Sequence, residues 1–364
     1  MSLFRASIDG LVPYEPGKPV EAVQRELGLE RVVKLASNEG PFPAFPAALE
    51  AMERASLELN RYPDGGAWAL RTQLAERSGV SFEELIVGAG ADGIIDLLAQ
   101  ATLDPGDEVV CGWPSFPSYV LTAAKLGAEA RRVPLRDHTY DLDGLLAAIG
   151  LRTKLVYVCH PNNPTGTANG RDDLAAFLDR LPEHVLCVLD QAYFEYIDDP
   201  DYVDGLELFR EERRLVVLRT FSKIYGLAGL RVGWAVAPAD VVTATSKVRR
   251  AFDVAATGQA AALASLDDPQ EIARRRELNA TGRDRVAEIL RSHGLEPVAP
   301  ARGNFLCADV GGGRELFERL LREGVIVRPL DGFGAPEAIR VTVGTPEENE
   351  VFAVALGHVL SGVS

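Results

Sequence analysis

The sequence predicts an α/β protein with a mostly parallel central sheet flanked by helices, plus a smaller α+β domain. From about residue 45 to residue 255, short apolar runs alternate with stretches of helical periodicity, which is typical of a parallel sheet covered on both faces. A long periodic stretch over residues 269–293 then leads to three further apolar runs. The length of 364 residues also suits about two domains of roughly 150 residues each.

Three regions follow from this pattern: an N-terminal arm with part of the small domain (1–44), a large domain (45–255) and a small C-terminal domain (256–364). The arm has apolar residues at helical spacing over 20–27. Strands of the large domain are predicted at the apolar runs 85–87, 108–111, 153–159, 185–190, 215–218 and 232–237, with helical stretches such as 94–101 between them. Strands of the small domain are predicted at 304–308, 325–327 and 339–343, before a final helix that starts near Pro346.

Composition disfavours several classes of function. Lysine and arginine total 38 against 53 aspartate and glutamate residues, and the net charge of −15 repels nucleic acid and anionic membranes. No apolar run approaches the roughly 18 residues of a membrane span, and the first residues lack the apolar core of a signal peptide, so we expect a cytoplasmic protein. The four cysteines lie in apolar runs without Cys-x-x-Cys spacing, which predicts reduced, packed thiols and no metal site.

Chemically reactive side chains stand just past the ends of predicted strands. Lys223 follows the run 215–218, Asp190 closes the run 185–190, and Asn163 lies in a proline-rich loop after the run 153–159. Open α/β sheets bind their ligands at this edge. Taken singly, each residue has an ordinary interpretation: an exposed turn for Ser222-Lys223 and a helix cap for Asp190. A carboxylate at the end of a buried strand is nevertheless costly unless it meets a cation.

A glycine-rich loop follows the first predicted strand. Gly88-x-Gly90-x-x-Gly93 formally fits the dinucleotide fingerprint, but the next strand ends in Gly112-Trp113 and lacks the acidic residue that would hold a ribose. The same loop suits a single phosphate, because it presents backbone N–H groups at a helix N-terminus.

Several motifs carry a resemblance to a known family. Asn163-Pro-Thr-Gly166, Asp190-Gln-Ala-Tyr193 and Ser222-Lys223 with Arg231 occur in the order and spacing of pyridoxal-phosphate aminotransferases of the aspartate aminotransferase fold, also called fold type I. Within that superfamily the chain looks most like the histidinol-phosphate aminotransferases. The segments that support this are 11–17, 34–39, 60–64, 325–329 and 339–349, which span nearly the whole sequence.

The resemblance implies a site for pyridoxal 5′-phosphate. Lys223 would be the Schiff-base lysine that also moves the substrate proton, and Asp190 would keep the pyridine nitrogen protonated. The remaining contacts implied by matching positions are Ala91, Asp92, Ser222 and Arg231 at the phosphate, Asn163 and Tyr193 at the phenolic oxygen, and Phe116 stacked on the ring.

The resemblance also implies how substrates and a second subunit are recognised. Arg340 would grip the α-carboxylate of a small-molecule amino donor or 2-oxo acid. Tyr14 and Arg328 match positions that meet the substrate phosphate, and Asn38 is a further expected substrate contact. Tyr62 matches a position that reaches the cofactor of the opposite subunit, which implies a homodimer.

The activity implied is transamination of histidinol phosphate with 2-oxoglutarate or glutamate, in histidine biosynthesis, by a ping-pong cycle. An aromatic-amino-acid aminotransferase is the main alternative, because 112–116 and 137–141 look similar to that branch. A phosphothreonine-type decarboxylase is a further one, and a regulator on this fold would need an added helix-turn-helix domain. The chain departs from the family at Gly93, where glutamate is usual, and at Gly40, where asparagine is usual, which leaves the pocket shape open.

Overall fold

The computed structural model describes residues 3–11, 17–211 and 213–362. Its helices are α1 (Ala6–Asp9), α2 (Val20–Leu27), α3 (Pro46–Ser56), α4 (Trp68–Ser78), α5 (Gly90–Thr102), α6 (Ser118–Leu126), α7 (Leu142–Ala148), α8 (Arg171–Asp179), α9 (Gly205–Arg210), α10 (Ala239–Val248), α11 (Ala256–Ser265), α12 (Pro269–Ser292), α13 (Gly313–Arg322) and α14 (Pro346–Ser361). Its strands are β1 (Val33–Lys34), β2 (Leu85–Gly88), β3 (Glu108–Trp113), β4 (Glu129–Pro134), β5 (Thr153–Cys159), β6 (Leu186–Asp190), β7 (Leu215–Thr220), β8 (Gly233–Val236), β9 (Phe305–Asp309), β10 (Val325–Ile326), β11 (Arg328–Pro329) and β12 (Ala338–Thr342).

The central sheet has seven strands in the order β2-β8-β7-β6-β5-β3-β4. Every pairing is parallel except those of β8, which runs antiparallel to β2 and to β7. Strands β5, β6 and β7 are buried along nearly their whole length because helices cover both faces. The predicted fold class, a mostly parallel sheet flanked by helices, is therefore confirmed.

The carboxyl ends of three neighbouring strands bring distant parts of the chain together. In the parallel register Cys159 of β5 pairs with Asp190 of β6, and Asp190 pairs with Leu218 of β7. The loops that leave these strands carry Asn163, Tyr193 and Lys223. Their convergence at one edge follows directly from the parallel topology.

A second layer of structure forms the smaller part of the molecule, called here the small lobe. It contains the antiparallel sheet β11-β12-β9, the parallel pair β1-β10 and helices α13 and α14. Its core joins Val23, Val33 and Leu35 near the start of the chain to apolar residues between 286 and 359. The part built on the seven-stranded sheet is called the large lobe. Helix α11 packs on α3 and belongs to the core of the large lobe, and the domain boundary at 255 stays a prediction.

Two further expectations from the sequence concern the state of the cysteines and the presence of membrane-spanning helices. All four cysteines are buried and unpaired, as predicted. Burial raises the pKa of Cys111, Cys187 and Cys307 to about 12, so these thiols stay protonated. Among the described residues, no helix combines the length and the apolar character that crossing a bilayer requires.

Candidate active site

A cavity of about 170 Å³ opens at the carboxyl ends of β5, β6 and β7, between the two lobes. Twelve of the residues singled out in the sequence line it: Asn38, Ala91, Asp92, Phe116, Asn163, Asp190, Tyr193, Ser222, Lys223, Arg231, Arg328 and Arg340. Two others do not. Tyr62 lies on the surface outside the cavity, and Tyr14 falls outside the described residues.

Lys223 stands on the loop that follows β7, and its amine faces the cavity. Burial lowers the pKa of this amine to about 8, assisted by the positive charges of Arg340 and Arg231 and opposed by Glu39 and Asp190. The Nζ atom lies 5.4 Å from the centre of the Tyr193 ring. At neutral pH a lysine with this pKa has roughly one amine in ten unprotonated, whereas an ordinary lysine has fewer than one in a thousand. The site therefore holds a nucleophilic amine.

Asp190 is the last residue of β6, and its carboxylate is buried. The Tyr119 hydroxyl donates a hydrogen bond of 2.6 Å to Oδ2, and the Ala192 N–H donates one of 3.1 Å to Oδ1. Burial raises the pKa of Asp190, while these two hydrogen bonds and the charge of Lys223 oppose the rise. Such a carboxylate is stabilised in place, but no lysine or arginine among the described residues hydrogen-bonds to it, so it suits a ligand that carries an N–H⁺ group.

Tyr119 is a functional candidate that sequence reasoning missed. It lies in the first turn of α6, is fully buried, and stacks on Tyr157 with ring centres 4.4 Å apart. Its distance from Asp190 in the sequence is 71 residues. The only signal available was a tyrosine shortly after the end of β3 at the same sheet edge, and that pattern is common in helices that pack on sheets.

The small lobe contributes a buried arginine to the cavity wall. Arg340 in β12 donates one hydrogen bond to the side-chain oxygen of Asn163 and another, of 2.6 Å, to the carbonyl of Ala36. The rings of Phe333 and Phe305 lie 5.3 and 5.5 Å from its Cζ atom. Its planar fork is thus oriented by both lobes, as bidentate binding of a carboxylate requires.

Asn38 connects the start of the chain to the same wall. Its side-chain amide donates a hydrogen bond of 2.9 Å to the Tyr193 hydroxyl. Thr342 of β12 fixes Asn38 twice, because its hydroxyl accepts from the Asn38 N–H and donates to the Asn38 side-chain oxygen. The orientation of Tyr193 therefore depends on two distant segments of the chain, one with Asn38 and one with Thr342.

An anion site lies where α5 begins. Arg231, in a left-handed conformation with φ of 53°, places its guanidinium against Gly90, where a built Cβ would come within 2.6 Å of Nη2. Arg231 also donates to the Ser222 hydroxyl at 3.3 Å. The N-terminal turn of α5, with Ala91 and Asp92, thus meets a hydroxyl and a cation, which together favour a phosphate.

Arg328 lies in the cavity wall, whereas Tyr62 lies on the surface outside the cavity. Arg328 in β11 pairs with Arg340 across the antiparallel ladder and lines the cavity. Tyr62 is 81% exposed and stacks on Phe252 with ring centres 4.5 Å apart. A single chain therefore leaves Tyr62 away from the cavity.

Comparison with known proteins agrees with this geometry. Residues 30–356 match the family model for class I and II aminotransferases. The chain is 45% identical over 359 residues to a histidinol-phosphate aminotransferase of Moorella thermoacetica, with 98% of this chain and 93% of the relative covered. It is 44% identical over 352 residues to the histidinol-phosphate aminotransferase of Bacillus subtilis, with 96% and 98% covered.

Solved structures of aminotransferases also resemble this chain closely in fold. A histidinol-phosphate aminotransferase from Sinorhizobium meliloti, in complex with pyridoxal-5′-phosphate, superposes with a TM-score of 0.90 at 30% identity, covering 100% of this chain and 99% of that one. The aspartate aminotransferase of Thermus thermophilus with maleate gives 0.82 at 26% identity, covering 98% and 100%.

Fold, site and comparisons together define an aminotransferase of class I and II that has the aspartate aminotransferase fold. Within that class, the chain belongs to the histidinol-phosphate aminotransferase family. Enzymes of this class use pyridoxal 5′-phosphate. The cavity fits that group, because it combines a nucleophilic amine (Lys223), a buried carboxylate (Asp190) and an anion site (Ser222 and Arg231) on three different walls.

Proposed function

We propose that the protein transaminates histidinol phosphate with 2-oxoglutarate or glutamate by a ping-pong mechanism. The observation that carries the proposal is the pair Arg328 and Arg340, adjacent across β11 and β12, on the wall of a cavity that also contains Lys223. Two cations there suit substrates that carry an amine and an anionic group, which is true of histidinol phosphate and of glutamate. The full-length similarity to histidinol-phosphate aminotransferases supports the same choice.

Pyridoxal 5′-phosphate, when bound, supplies an aldehyde carbon that bonds to amines and a ring that accepts the electron pair left when the substrate Cα loses its proton. Lys223 would hold the aldehyde end and then carry the proton between the substrate Cα and the cofactor's C4′ atom. Its pKa of about 8 makes the neutral amine available for both tasks. Asp190 would accept a hydrogen bond from the ring nitrogen and keep it protonated, with Tyr119 holding the carboxylate in place.

The other residues of the cavity would bind and orient. The amides of Ala91 and Asp92, with Ser222 and Arg231, would hold the phosphate. The phenolic oxygen would be held by Asn163 and Tyr193, and Phe116 would lie against one face of the ring. Phe116 is itself positioned by an edge-to-face contact with Tyr119, with ring centres 5.6 Å apart.

Substrate binding would begin with an exchange of partners at Arg340. Its guanidinium, engaged with Asn163 in the free protein, would turn toward the substrate carboxylate. Arg328 and Tyr14 would bind the phosphate of histidinol phosphate, and Asn38 would contact the substrate beside Tyr193. The two substrates would use the same arginines in turn, because a ping-pong cycle needs only one pocket.

We infer that the active unit is a homodimer in the cytoplasm, where glutamate and 2-oxoglutarate are abundant. Tyr62 would complete the site of the opposite subunit. Support comes from Phe252, which stacks on Tyr62, and from the exposed apolar side chains that lie near Tyr62 in the sequence: Leu57, Leu59 and Trp68. Exposed large apolar side chains of this kind are typical of protein interfaces.

A substrate panel tests the proposal. The cofactor-loaded enzyme would be offered histidinol phosphate, phenylalanine and phosphothreonine, each with 2-oxoglutarate, and glutamate formation and carbon dioxide release would be measured. We expect the highest kcat/KM with histidinol phosphate, and Arg328→Gln should lower it about 10- to 100-fold, because one charge-assisted contact is lost. A strong preference for phenylalanine would instead support an aromatic aminotransferase, and carbon dioxide release would indicate a decarboxylase.

A further inference from the structure

A short 3₁₀ turn separates the active-site cavity from a larger cleft. This outer cleft, of about 680 Å³, lies between Trp113 and Val120 of the large lobe and Phe317 of the small lobe. The two spaces share Ala36 and Arg328 in their walls. The turn, Asp331–Phe333, points Phe333 into the cavity, while Gly334, which ends it, lines the outer cleft.

Gly334 touches Trp113 across the gap between the lobes. A Cβ built on Gly334 would lie 2.0 Å from Nε1 of the indole and within 3 Å of two further ring atoms, where ordinary contacts are 3.4 Å or more. Trp113 is the last residue of β3, and the Arg132 guanidinium covers its ring at 4.7 Å. Any side chain at position 334 would therefore push the turn and the indole apart by over 1 Å.

The turn is connected to the two substrate arginines through Phe333. The Phe333 ring centre lies 5.3 Å from Cζ of Arg340 and 5.6 Å from Cζ of Arg328. Backbone hydrogen bonds within 330–335 make the turn stiff, and Arg314 holds Asp331 at 2.6 Å. A displacement at Gly334 would thus be transmitted to Phe333 and to the arginines that rest on it.

We propose that Gly334 is a positioning residue for anion binding. Its contact with Trp113 sets the position of the turn and, through Phe333, aims Arg328 and Arg340 into the cavity. The inference rests on the proposed function for the identity of the anions. It adds a determinant of substrate affinity that lies on the interface between the lobes and touches neither substrate nor cofactor.

The test is a double-mutant cycle on the cofactor-loaded enzyme. Gly334→Ala should raise KM for glutamate about tenfold or more while kcat changes by less than about threefold, because misplacement of about 1 Å at a positioning group can cost on the order of 100-fold. In a Trp113→Ala background, where the space is free, the same change should alter KM by less than about twofold. An equal effect in both backgrounds, or a fall in kcat with KM unchanged, would overturn the inference.

A matched control separates the contact from backbone strain. Gly311 has φ of +77°, close to the +88° of Gly334, and a Cβ built on it meets nothing within 4 Å. Gly311→Ala should therefore show the conformational penalty without the change in KM. If Gly311→Ala raises KM as much as Gly334→Ala does, the contact with Trp113 is not the cause.

Two further readouts keep the result interpretable. The glutamate half-reaction, followed by cofactor absorbance, needs no histidinol phosphate, so a failure of the proposed substrate and a failure of this inference give different results. Should Gly334→Ala fail to fold, Gly334→Ala/Trp113→Ala should recover the native thermal unfolding transition. Persistent misfolding in the double variant would refute the proposed contact.

Discussion

Replacing Lys223 by methionine should stabilise the cofactor-free protein. Methionine keeps the length and much of the volume of the side chain but carries no charge. In the cofactor-free protein the lysine side chain is partly buried in the cavity wall and lies near two arginines, so its protonated form is disfavoured relative to the unfolded chain. The variant removes this unfavourable cation from the folded state.

The size of the effect follows from the lowered pKa. A fall from 10.5 to about 8 corresponds to about 3 kcal/mol between the two protonation states. Below about pH 8 the amine is protonated in both the folded and unfolded protein, and the full penalty is present. Between about pH 8 and 10.5 the folded protein has lost the proton while the unfolded chain keeps it, so wild-type stability recovers by about 1.4 kcal/mol for each pH unit. Above that range the penalty is gone.

Urea unfolding at fixed protein concentration, from about pH 7 to about pH 11, measures how the difference in stability between the variant and the wild type changes with pH. The free energy of unfolding of Lys223→Met should exceed that of the wild type by up to about 3 kcal/mol at about pH 7, and the difference should vanish near pH 10.5. Lys247→Met, at an exposed position, is the control and should stay within about 0.5 kcal/mol of the wild type at every pH. A difference for Lys223→Met that is absent, or that does not change with pH, would refute the reasoning.

Three substitutions test the remaining parts of the site. Asp190→Asn would break the proposed buried ion pair between Asp190 and the protonated ring nitrogen of the cofactor. Such a loss costs about 3–5 kcal/mol, so kcat should fall by roughly two to four decades. The values of kcat and KM would be compared after thermal unfolding has shown that the variant is as stable as the wild type. Tyr119→Phe removes a hydrogen bond that lowers the pKa of Asp190, so the acid limb of the activity profile should move to higher pH; an unchanged limb would contradict that role. Arg340→Gln should raise KM for glutamate about 10- to 100-fold and affect kcat less, and a selective loss of kcat would argue against carboxylate binding.

The site residues that follow directly from strands of the central sheet could be picked out from the sequence. Asp190, Asn163 and Lys223 follow three buried apolar runs, and parallel strands in adjacent positions bring their carboxyl ends to the same edge. Periodicity therefore placed each of them after a strand, the family resemblance joined them in one site, and the order of the strands came from the structure. The antiparallel pairings of β8, which the sequence did not predict, lie toward one side of the sheet and do not disturb that edge.

Residues that depend on packing between elements could not be predicted in this way. Tyr119 reaches Asp190 from a helix, and the side of the helix that meets the sheet end is decided by tertiary packing. The contact of Gly334 with Trp113 exists only because two lobes meet. Tyr62 belongs to the same class, because its proposed role requires a second subunit.

In the proposed mechanism, the charges of the cavity would connect substrate binding to proton transfer. After burial, the positive charge of Arg340 contributes most to lowering the pKa of Lys223, and Arg231 contributes as well. A carboxylate that binds Arg340 neutralises that charge, and a phosphate at Arg231 neutralises the other. Under the proposed mechanism, the lysine amine would then become more basic when the anions are in place, which is when it would take a proton from the substrate Cα. In the proposed mechanism, the arginines that bind anionic groups would therefore also raise the neutral fraction of the free amine, and one arrangement of charges would serve both recognition and catalysis.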